Sequence, residues 1–363
     1  MKAVAFYLPQ FHVIPENEAV YGKGFTEWEN VRRAKPLFPG HYEPHEPERS
    51  LGYYDLTHET SLRIQHQLAL EMGVSAFCYY YYNIAGRRLL EKPLDIINRS
   101  AVIANEFCLC WDHASWYDNR QRNRRMFLEQ EYSEEQATRL GEDLLQYFRN
   151  PRYIKIGGRP LFLVFAPERH PLMHEYADIL RTVAAKEGLP GLVIAGVEAY
   201  AGCPPAMLGL DCMVEFAPNW QRENTLSAPD ELPRRMDYVR TVKFMLGKPV
   251  PDYLRMRCAF PGWDNTPRRG KWGIACVNNS PELFQTALEA LCSYTRAVLP
   301  EKFQYVFINA WNEWGEGCHL EPDKKHGARY LQAVAKIMHA FRCPPPRPDR
   351  GESPPLTPWQ GDI

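Results

Sequence analysis

The chain has 363 residues and a formal charge of −1; 45% of its residues are hydrophobic and 24% charged, an ordinary globular composition with material for a large core. No basic block is present, which argues against nucleic acid as the main partner, and no apolar run reaches the roughly 18 residues that a membrane-spanning helix requires. The ten cysteines show neither ligand nor disulfide spacing, and Cys108 and Cys110 alternate in FCLCW as buried free thiols do. In chain order, the opening MKAVAFYLPQFH carries no secretory leader, so a cytoplasmic location is the expectation. It also contains the first of eight short apolar runs: AVAFYL (3–8), VSAFCYYYY (74–82), FCLCW (107–111), LFLVFA (161–166), LVIAGV (192–197), CMVEF (212–216), LRMRCAF (254–260) and QYVFINAW (304–311). Most are continuous rather than alternating, the pattern of parallel strands buried on both faces.

Segments of helical periodicity lie between these runs. THETSLRIQHQLALEMG (57–73) is expected to start at a Thr57 cap and stop at Gly73, and SEEQATRLGEDLLQYFRN (133–150) is similar. Further helices are predicted over 171–188, 280–299 and 328–342. Eight strands with intervening helices predict a single (β/α)8 barrel over 1–342, with its active site at the C-terminal strand ends; a doubly wound open sheet is the alternative. The connection EAYAGCPPAMLGLD between the fifth and sixth runs is too short for a long helix, so one barrel helix should be degenerate. Residues 9–56, rich in Pro, His, Tyr and Trp, form a long loop on the catalytic face, and such loops usually bind ligands or act as lids. The proline-rich residues 343–363 read as an extended tail.

Just past the eighth strand, NAWNEWGEG (309–317) sets Glu313 and Glu316 three positions apart. Two carboxylates in a barrel mouth suit a glycosidic bond, where one group protonates the leaving oxygen and another acts on the opposite face; acids in the first turn of a helix are the simpler reading. Trp311 and Trp314 interleave with the acids as surfaces on which sugar rings could stack, and Asn312 lies between them. On the same face FPGWDNTPRR offers Trp263, Asp264, Asn265 and Arg268 for hydroxyl contacts, or alternatively an Asx-turn with an ion pair. Glu198 and Glu215 come from the fifth and sixth runs, as hydroxyl ligands or as salt-bridged structural groups. Tyr7, Gln10 and His12 leave the first strand, Glu27 and Trp28 lie in the long loop, and Tyr81 comes from a second strand whose tyrosines alternate in and out. His41, His45 and His58 have no HExxH-like spacing, so no metal and no cofactor are expected. KIGGRP (155–160) is a turn, and neither a GxGxxG loop nor a DxD triplet marks a nucleotide-sugar site.

The pieces FYLPQFHVIPENE, GKGFTEWENVRRAKPLFPGHYEPHEPE, LGYYDL, RLLEKPLD, FPGWDNTPRR and FINAWNEWGEGCHLEPD resemble the glycoside hydrolase family 99-like group, including its WbsX branch of glycosyltransferases of polysaccharide biosynthesis. The resemblance spans roughly 1–340. It implies a (β/α)8 fold and a metal-independent, retaining mechanism on α-mannosidic linkages, in which the sugar's own 2-hydroxyl is the nucleophile and an anhydro-sugar the intermediate. By position, Glu313 is similar to the glutamate that deprotonates this hydroxyl and Glu316 to the acid and then base. The third strand departs from the family: many members carry Asn-Glu after the tryptophan, whereas here Trp111 is followed by Asp112 and His113, which changes the hydroxyls recognised. Three readings remain: a hydrolase of α-linked, mannose-like sugars in surface polysaccharide metabolism, a transferase or transglycosylase of lipopolysaccharide biosynthesis, and a non-catalytic carbohydrate-binding barrel. Each takes an oligosaccharide or polysaccharide as partner, and the oligomeric state stays open.

Overall fold

Each apolar run is a strand. In the computed structural model, which describes residues 1–118, 120, 125–200, 202–218, 226–228 and 231–342, they are β1 (Lys2–Tyr7), β2 (Val74–Ile84), β3 (Glu106–Trp111), β4 (Arg159–Phe165), β5 (Val193–Glu198), β6 (Cys212–Glu215), β7 (Arg255–Ala259) and β8 (Tyr305–Ile308). Every strand pairs in parallel with the next, and β8 pairs with β1 through Lys2 to Tyr305 and Ala5 to Ile308, so the sheet closes. Closure excludes the open-sheet alternative.

Among the described residues, seven helices cover the barrel: α1 (Glu59–Glu71), α2 (Lys92–Arg99), α3 (Glu134–Phe148), α4 (Met173–Lys186), α5 (Tyr238–Leu246), α6 (Pro281–Val298) and α7 (Arg329–Arg342). Between β5 and β6 the described residues hold the 3-10 turn Pro205–Leu208, the degenerate position that the short connection predicts. Side-chain oxygens of Ser133, Asp237 and Ser280 cap α3, α5 and α6. The expected Thr57 cap is absent. Asp55 takes both the amide and the hydroxyl of Thr57 at 2.7 Å in an Asx-type turn, and His58 occupies the cap position without a side-chain bond. The proline-rich stretch 343–363 lies outside the described residues. No helix among the described residues is long and apolar enough to cross a membrane.

The barrel lumen is filled by an aromatic layer. Phe6 lies 5.7 Å from Tyr80 and 5.5 Å from Phe307, while Phe165 meets Tyr80 at 6.1 Å and Phe216 at 5.3 Å. This layer is the floor beneath the C-terminal mouth. It also sets the phase of every strand, because side chains alternate with period two. Tyr80 and Tyr82 face in; Tyr79 and Tyr81 face the helices, the former bonded to His66 of α1 and the latter packed on Tyr147 of α3.

Candidate active site

Beyond β8 the chain makes a tight hairpin in which Asn312–Glu313 pairs with Cys318–His319, and the 3-10 turn Trp314–Glu316 forms its tip. The hairpin projects Glu313 and Glu316, and its glycines make the projection possible. Gly317 turns with φ of 54°, where a Cβ would also come within 2.9 Å of Asp264. At Gly315 a Cβ would collide with Oε1 of Glu27, so this glycine leaves room for a third carboxylate.

Glu27 opens the short loop helix Glu27–Arg33, and its amide donates to the Gln10 carbonyl at 3.1 Å. Arg268 comes from the one-turn helix Thr266–Arg269 after β7. Its guanidinium meets all three acids: Nε to Glu27 at 2.6 Å, Nη2 to Glu313 at 2.8 Å and Nη1 to Glu316 at 2.7 Å. One cation therefore faces three largely buried carboxylates. Burial raises the pKa of Glu313, with Arg268 opposing and Glu27 adding to the rise. Burial pushes Glu316 up to about 8, again against Arg268 and with help from Glu313 and Glu27. Asp112 lies near enough to Glu313 to disfavour its charge, and burial brings Asp112 itself to about 6. Tyr80 and Tyr82 feel the Glu313 charge from below.

Asp264 anchors the hairpin: its amide donates to the Glu316 carbonyl at 2.5 Å, and its Oδ1 accepts from the Thr266 amide at 2.9 Å. Asn265 accepts from the Ile274 amide at 2.8 Å and shapes the same turn. His41 bonds the other Asp264 oxygen. Glu43, beside Asp264, is pushed up to about 9 by burial first and the Asp264 charge second. A carboxyl whose folded pKa is raised stabilises the fold fully below its unfolded pKa and loses that contribution as pH rises through the folded value. Buried histidines, whose pKa burial lowers, act in the opposite sense below about pH 6.5, so the thermal midpoint should fall from about pH 6.5 to pH 9, by at most about 1.4 kcal/mol of stability per pH unit and group. Glu43→Gln should make this slope shallower in pH-resolved thermal melts.

Several expected ligands point elsewhere. Tyr7 donates to Gln65 of α1 at 2.6 Å, on the helix side of the sheet, and Tyr81 points the same way, toward α3. Trp111 stacks on Tyr176 of α4 at 5.8 Å, and His113 is buried between the Tyr132 hydroxyl and the Ala166 carbonyl. His12 closes on the Pro9 carbonyl at 3.0 Å. Glu198 and Glu215 are outward-facing structural acids: Glu198 accepts from Tyr253 at 2.6 Å, and Glu215 pairs with Arg257 at 2.6 Å and Lys248 at 2.8 Å. Arg257→Met is expected to cost about 3–5 kcal/mol by leaving Glu215 short of its main partner, seen as a lowered thermal midpoint with turnover of the folded fraction unchanged.

The tryptophans form a wall rather than sugar platforms. Trp311 and Trp314 are fully buried and donate their indole N–H groups to Glu321 at 3.0 and 2.6 Å; Trp28 donates to the Tyr54 carbonyl and packs on Trp314. Trp263 is buried as well. Asn312 receives the Leu8 amide at 2.7 Å and donates back to the Leu8 carbonyl at 2.9 Å, tying the hairpin to β1. The site thus brings together Glu27, Asp112, Asp264, Arg268, Glu313 and Glu316. It adds His41, Glu43, Tyr80 and Tyr82, which no short motif marks; Glu321, the acid of HLEPD, lies behind the tryptophan wall, where it also accepts from Gln65 at 2.7 Å.

The carboxylates gather at the C-terminal mouth of a closed barrel, the face on which such barrels carry their active sites, and the family match makes the chain a carbohydrate-active enzyme. Residues 3–334 match the glycosyltransferase WbsX family, and the chain belongs to that family. It is 38% identical over 344 residues to the WxcX proteins of two strains of Xanthomonas campestris pv. campestris, an alignment covering 92% of this chain and 49% of each relative. The chain thus spans about half the length of the curated relatives it matches. The GH99 endo-alpha-mannosidase from Bacteroides thetaiotaomicron superposes with a TM-score of 0.60 at 16% identity, over 94% of this chain and 97% of that one. A glycoside hydrolase-like protein gives 0.56 at 13% identity, over 93% of both chains. These two likenesses concern the fold.

Proposed function

We propose that this barrel acts with retention on α-linked, mannose-like glycosidic bonds, with the sugar's 2-hydroxyl as nucleophile, in the metabolism of a surface polysaccharide. The observation that carries the reading is the Arg268 fork, which gathers Glu313 and Glu316 while their surroundings give Glu316 a proton at neutral pH. Glu313 takes the proton of the 2-hydroxyl, O2 bonds to C1, and the bond from C1 to the leaving oxygen breaks as Glu316 protonates that oxygen. An incoming hydroxyl then gives its proton to Glu316 and bonds to C1; the C1–O2 bond breaks, and O2 recovers its proton from Glu313. Water as the incoming group gives hydrolysis, and a sugar hydroxyl gives transfer. Membership of a glycosyltransferase family supports transfer. Asp112, facing Glu313, is the group that selects the hydroxyl pattern of the sugar.

Incubation with a panel of α-linked oligosaccharides, with and without an acceptor, tests the reading. Released reducing sugar marks hydrolysis and a new linkage marks transfer; binding without any product would leave a non-catalytic barrel and overturn it. Turnover of unactivated substrates should also fall as pH rises through about 8, because the acid must be protonated to act. It should fall again on the acid side as Glu313 takes up a proton, so kcat/KM against pH is expected to be bell-shaped.

A further inference from the structure

We propose that His45, His319 and Asp323 form a site for a zinc-type divalent cation, separate from the carboxylate trio, that fastens the loop after β1 to the loop after β8. One ligand atom from each of the three lies within 4.8 Å of the others. Nδ1 of His45 is 2.9 Å from Nε2 of His319. Two imidazoles and a carboxylate are a donor set that zinc and its neighbours favour. Without an ion Nδ1 of His45 donates to Nε2 of His319; binding moves that proton to the other nitrogen of His45 and opens the nitrogen pair to the ~3.3 Å that tetrahedral coordination at zinc–nitrogen distances requires, a small movement. The donors come from loops far apart in the chain, so no short ligand motif marks them.

The ring orientations carry the argument further. Nδ1 of His319 lies 2.9 Å from the Glu321 carbonyl, which can only accept, so the proton sits on Nδ1 and Nε2 turns its lone pair into the cluster. Trp314 stacks on this ring at 3.7 Å and fixes its plane. Asp323 is buried and forms no salt bridge with a lysine or arginine among the described residues: Lys324 pairs with Glu46 at 2.9 Å, and Lys325 lies over the Tyr42 ring. One Asp323 oxygen accepts the His326 amide at 2.5 Å, and a buried carboxylate beside two imidazoles, with no lysine or arginine on it, is a place where a divalent cation restores charge balance. A second cluster, His41, Glu43 and Asp264, differs in that a backbone donor fixes the tautomer of its histidine. The Leu37 amide donates to Nδ1 of His41, which leaves the proton on Nε2, aimed at Asp264, and no lone pair faces the carboxylates.

The proposal is independent of the reaction proposed above. The full chain, stripped by a chelator and dialysed, is titrated with Zn2+ and, separately, with Co2+. A single ion per chain, a raised thermal midpoint and visible cobalt absorption of low-symmetry N/O coordination are expected. His45→Asn and Asp323→Asn should each weaken Zn2+ binding roughly tenfold or more, while His41→Asn keeps it. Absence of stoichiometric binding to the unmodified chain, or equal binding by the His45 and Asp323 variants, would overturn the site. Should either variant fail to fold, the stoichiometry and cobalt spectrum of the unmodified chain decide the matter.

Discussion

Glu316→Gln is expected to lower turnover of substrates with poor leaving groups by about 10² to 10⁴, equivalent to ~3–5 kcal/mol of barrier. The amide keeps the size of the side chain and can still accept from Arg268, but it has no proton to give. Activated aryl glycosides should keep most of their rate, since their leaving group departs unaided. Glu313→Gln should slow both kinds of substrate, because the 2-hydroxyl must be activated whatever leaves. A 2-deoxy substrate should bind to the unmodified protein and stay intact. Its efficient cleavage would show that a carboxylate of the protein attacks C1, and the proposed chemistry would fall. Steady-state kinetics on matched substrate pairs measures all of these effects.

Arg268 is the second position where a large effect is expected. Arg268→Met leaves Glu27, Glu313 and Glu316 without their shared cation, and removing one partner of a buried ion pair costs about 3–5 kcal/mol. The acids can relieve this by taking up protons. Because Arg268 holds the pKa of Glu313 down, its loss moves the base-dependent limb of the pH profile upward, so residual activity should peak at higher pH than in the unmodified protein. Arg268→Lys restores a charge without the fork and should recover thermal stability more than turnover. A profile that stays in place after Arg268→Met would show that the arginine does not set the ionisation of the pair.

The strands were legible because parallel strands buried on both faces read as unbroken apolar runs, and the missing helix because about 13 residues cannot cross back over the sheet with a long helix. The same continuity hid the phase. With both faces apolar, nothing in VSAFCYYYY separates Tyr81 from Tyr80, and only the aromatic layer on Phe6 shows which tyrosines face the mouth. Trp311 and Trp314 looked like sugar platforms because their shared acceptor, Glu321, is brought to them only by the returning hairpin. Glu215 stayed open between hydroxyl ligand and salt-bridged group because Arg257, on the neighbouring strand, is its partner only once the barrel closes. Glu313, Glu316 and Arg268 were readable from short motifs; Glu43 and His41 depended on how the long loop folds back over β7.

The clasp between Asn312 and Leu8 bears on biosynthesis. These residues are 304 positions apart, so the first strand of the barrel waits, during synthesis, for a partner made long after it. Until β8 emerges, β1 and β7 are open edges, available for pairing with other chains. Both acids and their hairpin lie beyond that point. A nascent or truncated chain ending before residue 305 should therefore be both inactive and prone to aggregate, and closure of the barrel and completion of its chemistry should arrive together, within the same short stretch of translation.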